Sequence, residues 1–408
     1  MTTNDSRRSH ADIRYEACNT LRILILNCDY PRFLRQLYVQ AGDLHMADYR
    51  TQMEARNASL FGVADFYSHG FRTHGHEAAE LHVNNAWLQA AWAREHGLPV
   101  DMPPPPDAPD IRTWLSARRV LPRRLLQPLV RRFMPRQLGS TEAAILRAQI
   151  EDFQPDVILN QEMGYVRSDF LRSIKSKRLR IVGQIAAARP MGEDFRVYDL
   201  VVSSLPNFVT WFSQNGVRAK LNRLAFDPRV LEKVKGSTER DIFISFVGSL
   251  SIEHRSRIEL LEFLAQHTDL QLWGNGIEGV PRGSPLHRCY RGEAWGKKMY
   301  EILMRSRITI NHHIDLSEGY ANNMRLYEAT GCGALMLVDA KRNLHEIFDE
   351  GREVATYASK EECLAKIKHY LSQEDERARV AEAGQLRTIR EHNYVRRTGE
   401  LAAIIADC

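Results

Sequence analysis

The chain has 408 residues, of which 44% are hydrophobic and 26% charged. That composition is typical of a globular protein and excludes a disordered or fibrous one, and the length predicts two or three domains. The formal net charge of +5 is too small to indicate nucleic-acid binding by itself, and the six cysteines, which form no CxxC pair, indicate neither a disulfide framework nor a zinc site.

The first 20 residues are polar and are predicted to be disordered. They contain no apolar stretch that could form the core of a signal peptide. No apolar run in the chain approaches the ~20 residues that span a bilayer. We therefore expect a cytoplasmic protein.

Residues 21–226 alternate between short apolar runs and amphipathic segments, which predicts an α/β domain with a parallel sheet covered by helices. Apolar residues at three- and four-residue spacings predict a helix over residues 76–96, and residues 67–71 are predicted as a short strand or turn. Asp29 and Tyr30 directly follow the first predicted strand. Polar residues at that point of an α/β domain face a ligand crevice.

An Arg-rich insertion around residues 100–140 interrupts this first series. Eight arginines lie between positions 112 and 136, interleaved with leucines. One interpretation is an amphipathic segment that contacts anionic lipid at the inner face of the membrane, or a charged acceptor. The other is a solvated helical hairpin whose aliphatic side chains face the core.

A polar stretch with a proline and a glycine, residues 226–240, predicts a domain boundary. A second βα series follows over residues 241–392, long enough to bury its own core. The last helix, within residues 393–408, is expected to pack back across the domain seam. Two domains of this kind leave a cleft between them, and clefts between domains are favoured ligand sites.

Glycine-containing turns in the second series suggest anion binding. Gly248 and Ser249 follow a predicted strand, and Arg255 and Arg257 lie just inside the next helix. Glycine lets the backbone approach a phosphate, while a helix N-terminus and arginine supply donors. The alternative is an ordinary βα turn with arginines in solvent. A second segment, residues 274–279, matches GxGxxG, but no helix opens after it, which argues against a nicotinamide enzyme. The preceding Trp273 is a candidate contact for a nucleotide base.

Metal binding is not expected. His74, His76 and Glu77, and the pair His312 and His313, lack the spacing of an HExxH site. The chain also contains no Asp-x-Asp triplet, although hard cations need clustered carboxylates. We therefore expect arginine, lysine and helix dipoles to neutralise any bound phosphate.

The segment 308–348 predicts a strand, a polar loop, a helix ended by Gly331, and another strand. Arg325 and Glu328 lie one turn apart near the start of that helix. One interpretation is a surface ion pair worth a few tenths of a kcal/mol. The other is that both face the cleft, where the carboxylate accepts from two ribose hydroxyls and the arginine, or backbone N–H groups, bind a diphosphate.

The second series also resembles a known family. The segments NNMRLYEATGCGALMLVD, LHEIF, GREVATY and HNYVRR resemble the C-terminal half of group 1 glycosyltransferases of the spore maturation protein type, which are related to the family-4 retaining enzymes. The resemblance covers residues 242–400. It implies the GT-B fold, with two Rossmann-like domains facing across a cleft, a nucleotide sugar held by the C-terminal domain, and no metal or other cofactor.

The resemblance also implies roles for individual residues. The second glutamate of the family-4 Glu-x7-Glu pair falls on Glu328, which would bind the ribose, whereas the first falls on Tyr320, and the nearest acid is Glu318. Gly248 would be the close-approach glycine and Arg255 or Arg257 the diphosphate cation. The loop expected along the diphosphate consists of Gly319, Tyr320, Ala321, Asn322 and Asn323.

These observations predict a metal-independent glycosyltransferase that moves a sugar from a nucleotide diphosphate to a hydroxyl of a glycan, a lipid-linked saccharide or a protein. The acceptor is expected near Asp29, Tyr30, His69 and Glu162. If the reaction inverts the anomeric carbon it needs a base, for which His69 and Asp29 are the candidates. Two alternatives stay open: a nucleotide-sugar epimerase or hydrolase on the same frame, and a non-catalytic binding subunit.

Overall fold

The computed structural model describes residues 20–108, 138–234, 239–250, 255–313 and 317–408. The predicted disordered N-terminus, up to residue 19, and the Arg-rich segment 112–136 lie outside the described residues. The proposals that the first is disordered and that the second contacts a membrane therefore stay predictions.

Six parallel strands form the first sheet in the order β2-β1-β3-β4-β5-β6. They are β1 (Arg22–Asn27), β2 (Glu77–His82), β3 (Val157–Asn160), β4 (Arg180–Gln184), β5 (Leu200–Ser203) and β6 (Ala219–Leu221). The helices of this part are α1 (Pro31–Gln40), α2 (Tyr49–Ala58), α3 (Phe66–Thr73), α4 (Ala86–Glu95), α5 (Ser140–Phe153), α6 (Ser168–Ile174), α7 (Pro206–Gln214) and α8 (Arg229–Lys233). The central strands are continuous apolar runs because helices cover both faces of a parallel sheet.

The predicted helix over residues 76–96 is wrong in its first half. Residues 77–82 form β2, which pairs in parallel with β1, and the helix begins only after Asn85, whose side chain accepts from the Leu88 N–H. The segment EAAELH has good local helix propensity, but pairing with β1 outweighs it. Residues 67–71, predicted as a strand or turn, lie within α3.

Five parallel strands form the second sheet in the order β11-β10-β9-β7-β8. They are β7 (Ile242–Val247), β8 (Leu270–Trp273), β9 (Ser306–Asn311), β10 (Leu335–Asp339) and β11 (Ala355–Tyr357). The helices are α9 (Arg255–His267), α10 (Leu286–Cys289), α11 (Lys297–Arg305), α12 (Met324–Gly331), α13 (Lys360–Ser372), α14 (Glu374–Glu391) and α15 (Tyr394–Ala406). The strand, the helix and the second strand predicted within residues 308–348 are confirmed as β9, α12 and β10.

A continuous apolar core joins the two sheets at the seam. Gly331 lies so close to Phe226 that a Cβ on it would be 2.5 Å from the ring. Helix α15 packs against α3 of the first sheet's domain, and a Cβ on Gly70 would be 2.3 Å from the Thr398 hydroxyl. The chain thus returns to the first domain at its end, and the seam holds both sheets with their carboxyl edges facing each other.

Candidate functional site

A cavity of about 420 Å³ lies between the two sheets. In the first sheet β1 lies between β2 and β3, and in the second β7 lies between β8 and β9. Each is the point where the strand order reverses, and the crevice beyond the carboxyl ends of such strands is where α/β folds bind ligands. The cavity is lined by residues that follow β1, β3 and β7, so the two crevices face each other and form one site.

The C-terminal wall of the cavity is built around the start of α12. Asn323 caps the helix, since its Oδ1 accepts from the Arg325 N–H at 2.7 Å, and its Nδ2 donates to Asn311 Oδ1 at 2.9 Å. Arg325 donates from Nε to the Val247 carbonyl at 2.9 Å and from Nη1 to Glu328 Oε2 at 2.7 Å. Glu328 is only 5% exposed. The arginine and the carboxylate are therefore held in a fixed pair, and Nη2 of Arg325 makes no hydrogen bond in the described part of the chain.

Two glycine turns form the edge of the same wall. A Cβ on Gly274, whose φ is +148°, would lie 1.8 Å from the Gly248 carbonyl oxygen. The turns after β7 and β8 thus touch through their backbones, which only glycine permits. Gly248, Ser249, Gly274 and Asn275 all line the cavity, so this edge presents backbone instead of bulky side chains to a ligand.

The N-terminal wall contains a buried ion pair behind the turn that follows β1. Asp29 is 2% exposed; it is paired with Arg56, and the His82 Nδ1 atom lies 3.0 Å from its Oδ2. Burial acts to raise the pKa of Asp29, but His82 and the Arg56 guanidinium outweigh it and hold the pKa well below its usual range. The Asp29 carboxylate is therefore ionised, and Arg56 and His82 already lie against its oxygens.

Glu162 lines the same wall at the end of β3. The Glu162 backbone N–H donates to Asn160 Oδ1 at 3.0 Å, which fixes the turn, whereas the carboxyl group makes no hydrogen bond or ion pair within the described chain. Burial, together with the charge of Asp29, raises the pKa of Glu162 to about 7. A half-buried carboxyl that titrates near neutral pH in a cleft is a candidate for acid–base chemistry.

Aromatic side chains form the rim. Tyr30, Phe61 and Trp295 line the cavity, with ring centroids 5.3 Å apart for Phe61 and Trp295 and 5.8 Å apart for Tyr30 and Trp295. Next to them Arg32 pairs across the cleft with Glu293 at 2.7 Å and with Glu278. The rim therefore ties the two domains together, and it places aromatic side chains in the cavity lining.

Several residues predicted for the site line this cavity, and others do not. Those that line it are Asp29, Tyr30, Glu162, Gly248, Ser249, Asn323, Arg325 and Glu328. Of the two arginines predicted to bind diphosphate, Arg255 is exposed and pairs with Glu259 at 2.9 Å. Arg257 is buried and donates to the carbonyls of His312 at 2.7 Å and Ser249 at 3.1 Å. Arg257 thus holds the turn in place, whereas Arg325 lines the cavity on the C-terminal wall.

The other predicted residues lie outside the cavity wall. His69 lies on α3 near an ion-pair network of Asp65, Arg229 and Asp227; burial and Arg229 lower its pKa. Trp273 is buried in the core. In the loop before α12, Glu318 is exposed and the Gly319 carbonyl accepts from the Arg342 N–H at 2.9 Å. Tyr320 packs against the core of the first sheet, and Asn322 is half-buried. Of the loop predicted along the diphosphate, Asn323 lines the cavity, and the binding role of the loop stays a prediction.

Some lining residues carried no recognisable signal in the sequence. Phe61, Trp295 and Met299 line the cavity, but their neighbours along the chain match no binding motif. The Gly-rich segment was a partial signal, since Gly274 and Asn275 do line the cavity. Within the described residues, no three His, Cys, Asp or Glu side chains are grouped so that they could hold a metal ion. None of the helices described there is long and apolar enough to cross a bilayer.

Comparison with known proteins adds two findings. Residues 255–403 match a family model described as glycosyl transferase-like, whereas no curated protein matches the chain significantly. The matched residues lie only in the second domain and at the end of the chain.

Solved structures resemble the chain over nearly its full length. A glycosyltransferase from Rickettsia africae is 11% identical with a TM-score of 0.54, and the match covers 96% of this chain and 99% of that one. Sucrose-phosphate synthase from Thermosynechococcus elongatus is 12% identical with a TM-score of 0.53, covering 94% and 98%. HepE from Anabaena, solved with UDP-glucose, is 14% identical with a TM-score of 0.54, covering 95% and 100%. At these identities the similarity shows the fold, so the predicted GT-B fold is confirmed.

Proposed function

We propose that this protein is a glycosyltransferase of the group 1 type. It transfers a sugar, a hexose in our proposal, from a nucleotide-diphosphate sugar to a hydroxyl of a glycan, a lipid-linked saccharide or a protein. The observation that carries the proposal is the Arg325–Glu328 pair, held at the start of α12 in the wall of the interdomain cavity. The match of the second domain to a glycosyl transferase-like model supports the same reaction class.

The proposed donor site lies on the C-terminal wall. Glu328 accepts from the ribose hydroxyls, while Nη2 of Arg325 and the backbone at Gly248 and Ser249 bind the diphosphate, because oriented N–H groups and a guanidinium favour phosphate oxygens. The solved complex of HepE with UDP-glucose supports this class of donor. With no metal-binding group among the described residues, we propose that Arg325 and the start of α12 neutralise the leaving diphosphate.

The proposed acceptor site lies on the N-terminal wall. Tyr30 and Phe61 line the cavity there, and Glu162 adds a polar group to the same wall. Catalysis then depends mainly on positioning both substrates and on stabilising the developing charge of the diphosphate. An acceptor that fills the space under the aromatic rim also keeps water from the donor.

A panel of nucleotide sugars, assayed with and without hydroxyl acceptors, tests the proposal. We expect one donor to raise the melting temperature and to release nucleoside diphosphate only when an acceptor is present. Conversion of the donor without an acceptor would instead identify an epimerase or a hydrolase. No thermal shift with any nucleotide sugar would contradict both enzymatic functions and leave the binding subunit.

A further inference from the structure

We propose that the N-terminal wall of the interdomain cavity is a carbohydrate site, in which Asn27 and Ser204 bind hydroxyl groups of a saccharide acceptor. This inference rests on the proposed transferase function and narrows its acceptor. A free glycan and a lipid-linked saccharide both offer the sugar hydroxyls that this wall would bind, whereas a serine or threonine side chain of a protein offers a single hydroxyl.

The first argument is a pair of buried polar side chains without partners. Asn27 is the last residue of β1, and Ser204 directly follows β5. Both line the cavity, although they are only 5% and 8% exposed. Nδ2 of Asn27 and Oγ of Ser204 make no hydrogen bond within the described residues. A buried polar group costs free energy until it finds a partner, so both atoms suit a ligand that brings hydroxyl groups of its own.

The second argument is the spacing of these groups. The strands β1, β3, β4 and β5 are consecutive neighbours in the first sheet, so the ends of β1 and β5 lie about 14 Å apart along its carboxyl edge. Gln161 and Gln184 line the cavity between them, where Gln161 Nε2 donates to Gln184 Oε1 at 2.9 Å. Amide and hydroxyl groups therefore follow one another along this edge. One side-chain hydroxyl cannot reach both ends, whereas a saccharide carries hydroxyls on every ring.

The third argument is charge. Arg56 is the cationic side chain of this wall among the described residues. Its Nε donates to Asp29 at 3.2 Å, its Nη1 donates to the Phe61 carbonyl at 3.1 Å, and its Nη2 is paired with Asp29. All three nitrogens are thus engaged within the protein. The unpaired charged group of the wall is the Glu162 carboxyl, which can accept from a hydroxyl but does not attract a phosphate. The wall therefore suits a neutral ligand rich in hydroxyl groups.

The fourth argument is the aromatic rim. Tyr30 lines the cavity and is 59% exposed, and its ring centroid lies 5.6 Å from that of Phe61 and 5.8 Å from that of Trp295. Ligand sites commonly combine aromatic side chains with a few fixed polar groups. A saccharide matches both kinds of group, because its rings carry apolar C–H groups as well as hydroxyls.

Two arrays, incubated with the protein and UDP, test the class of acceptor. One array carries immobilised saccharides, from single sugars to oligosaccharides, and the other carries peptides that contain serine and threonine. We expect binding to saccharides and not to peptides. Calorimetry then compares each saccharide that binds with its octyl glycoside. Tighter binding of the octyl glycoside identifies a lipid-linked acceptor, equal binding identifies a free glycan, and either result agrees with a carbohydrate site.

Two neighbouring serines separate ligand binding from folding. Ser204→Ala removes a hydroxyl that has no partner, so the melting temperature should not fall. The Kd for the bound saccharide should rise about 2- to 10-fold, as expected for the loss of one hydrogen bond. Ser203 is the matched control, since it is 1% exposed and its Oγ accepts from the Leu205 N–H at 3.1 Å. Ser203→Ala should lower the melting temperature and leave the Kd unchanged.

A double variant tests whether the two proposed contacts are separate. Asn27→Ala should also raise the Kd for the saccharide. Because Asn27 and Ser204 lie at different strand ends, the free-energy losses of the two substitutions should add in the double variant. An unchanged Kd in both single variants would overturn the assignment of Asn27 and Ser204.

The remaining outcomes distinguish the carbohydrate site from the proposed function. Binding to peptides alone, or to neither array, would overturn the carbohydrate site, and a donor that still raises the melting temperature would then leave the transferase in place. Binding to saccharides by a protein that binds no nucleotide sugar would contradict the transferase and support the carbohydrate site on its own.

Discussion

The two walls of the interdomain cavity place their charges differently. On the C-terminal wall Arg325 and Glu328 form an ion pair at 2.7 Å within one helix turn. On the N-terminal wall Asp29 forms a buried ion pair with Arg56, whereas the carboxyl group of Glu162 has no hydrogen bond or ion pair among the described residues. Paired charges of fixed geometry suit the binding of a polar ligand, and an unpaired carboxyl suits proton transfer. The two walls therefore offer a ligand different groups: a fixed ion pair on one side and an unpaired carboxyl group on the other.

The comparison also shows how two carboxylates in one wall obtain opposite properties. Asp29 is surrounded by cationic and hydrogen-bonding groups that lower its pKa, whereas burial and Asp29 itself raise that of Glu162. Environments that push the pKa values of neighbouring acids apart are a mark of acid–base sites. Substitutions in either wall, and removal of metal ions, test this difference between the walls.

The largest effect is expected from Asp29→Asn, which should lower the free energy of unfolding. The change leaves the buried Arg56 without its counter-charge, and breaking one side of a buried ion pair costs about 3–5 kcal/mol. Urea unfolding at pH 7 measures the free energy of unfolding. Because folding lowers the pKa of Asp29, its stabilisation is present above the unfolded pKa of about 3.9 and is lost as the pH falls further. The difference in the free energy of unfolding between the variant and the wild type should therefore become smaller at acidic pH.

The exposed pair of Arg50 and Glu54, 2.8 Å apart on α2, provides a matched control. Glu54→Gln should leave the free energy of unfolding nearly unchanged, because solvent screens such exposed pairs. Equal losses in the two variants would contradict the view that Asp29 is a buried structural charge.

A smaller effect is expected from Glu328→Gln, which should weaken donor binding. If Glu328 holds the ribose, the Kd for nucleoside diphosphate should rise about tenfold or more, which corresponds to about 1.4 kcal/mol. Isothermal titration calorimetry measures it. Arg255→Gln should leave this Kd unchanged, because Arg255 is exposed and paired with Glu259.

A second control separates binding from loosening of the wall. Tyr300 is buried, and its hydroxyl donates to Glu328 Oε1 at 3.4 Å. Tyr300→Phe removes that bond and keeps the carboxylate, so the Kd should stay near the wild-type value. If Glu328→Gln and Tyr300→Phe lose a similar amount of affinity, Glu328 contributes to binding by packing in the wall and not by contact with the ribose.

Metal removal is expected to leave the transfer rate unchanged. Arg325 and the N-terminus of α12 take the place of a cation in the proposed donor site. Transfer rates measured after EDTA treatment should equal the untreated rate. A loss that Mg²⁺ or Mn²⁺ restores would show that the C-terminal wall needs a cation to bind diphosphate.

Much of the fold could be predicted from the sequence because buried parallel strands are continuous apolar runs, as in β1 and β7. The missed strands are those without that signal. β2 has the helix-favouring composition EAAELH, and β11 has only three residues. In both, pairing with a neighbouring strand decides the structure, and that pairing depends on residues distant in sequence.

The candidate site divides in the same way. Asn323, Arg325 and Glu328 were predicted because their relation is local, within one helix cap and one turn. The sequence left Arg255 and Arg257 as alternatives, because the packing of α9 decides which of the two side chains is buried. The state of Asp29 could not be predicted either, since Arg56 reaches it across 27 residues of chain. Without that pair, Asp29 and Glu162 look like equivalent loop acids.

The most direct test of the account is a crystal structure of the protein with a nucleoside diphosphate such as UDP. We predict the diphosphate within about 3 Å of Arg325 and of the backbone at Gly248 and Ser249, with ribose hydroxyls on Glu328, and Glu162 facing the bound nucleotide from the opposite wall. A nucleotide bound away from Glu328, or outside the interdomain cavity, would contradict the account.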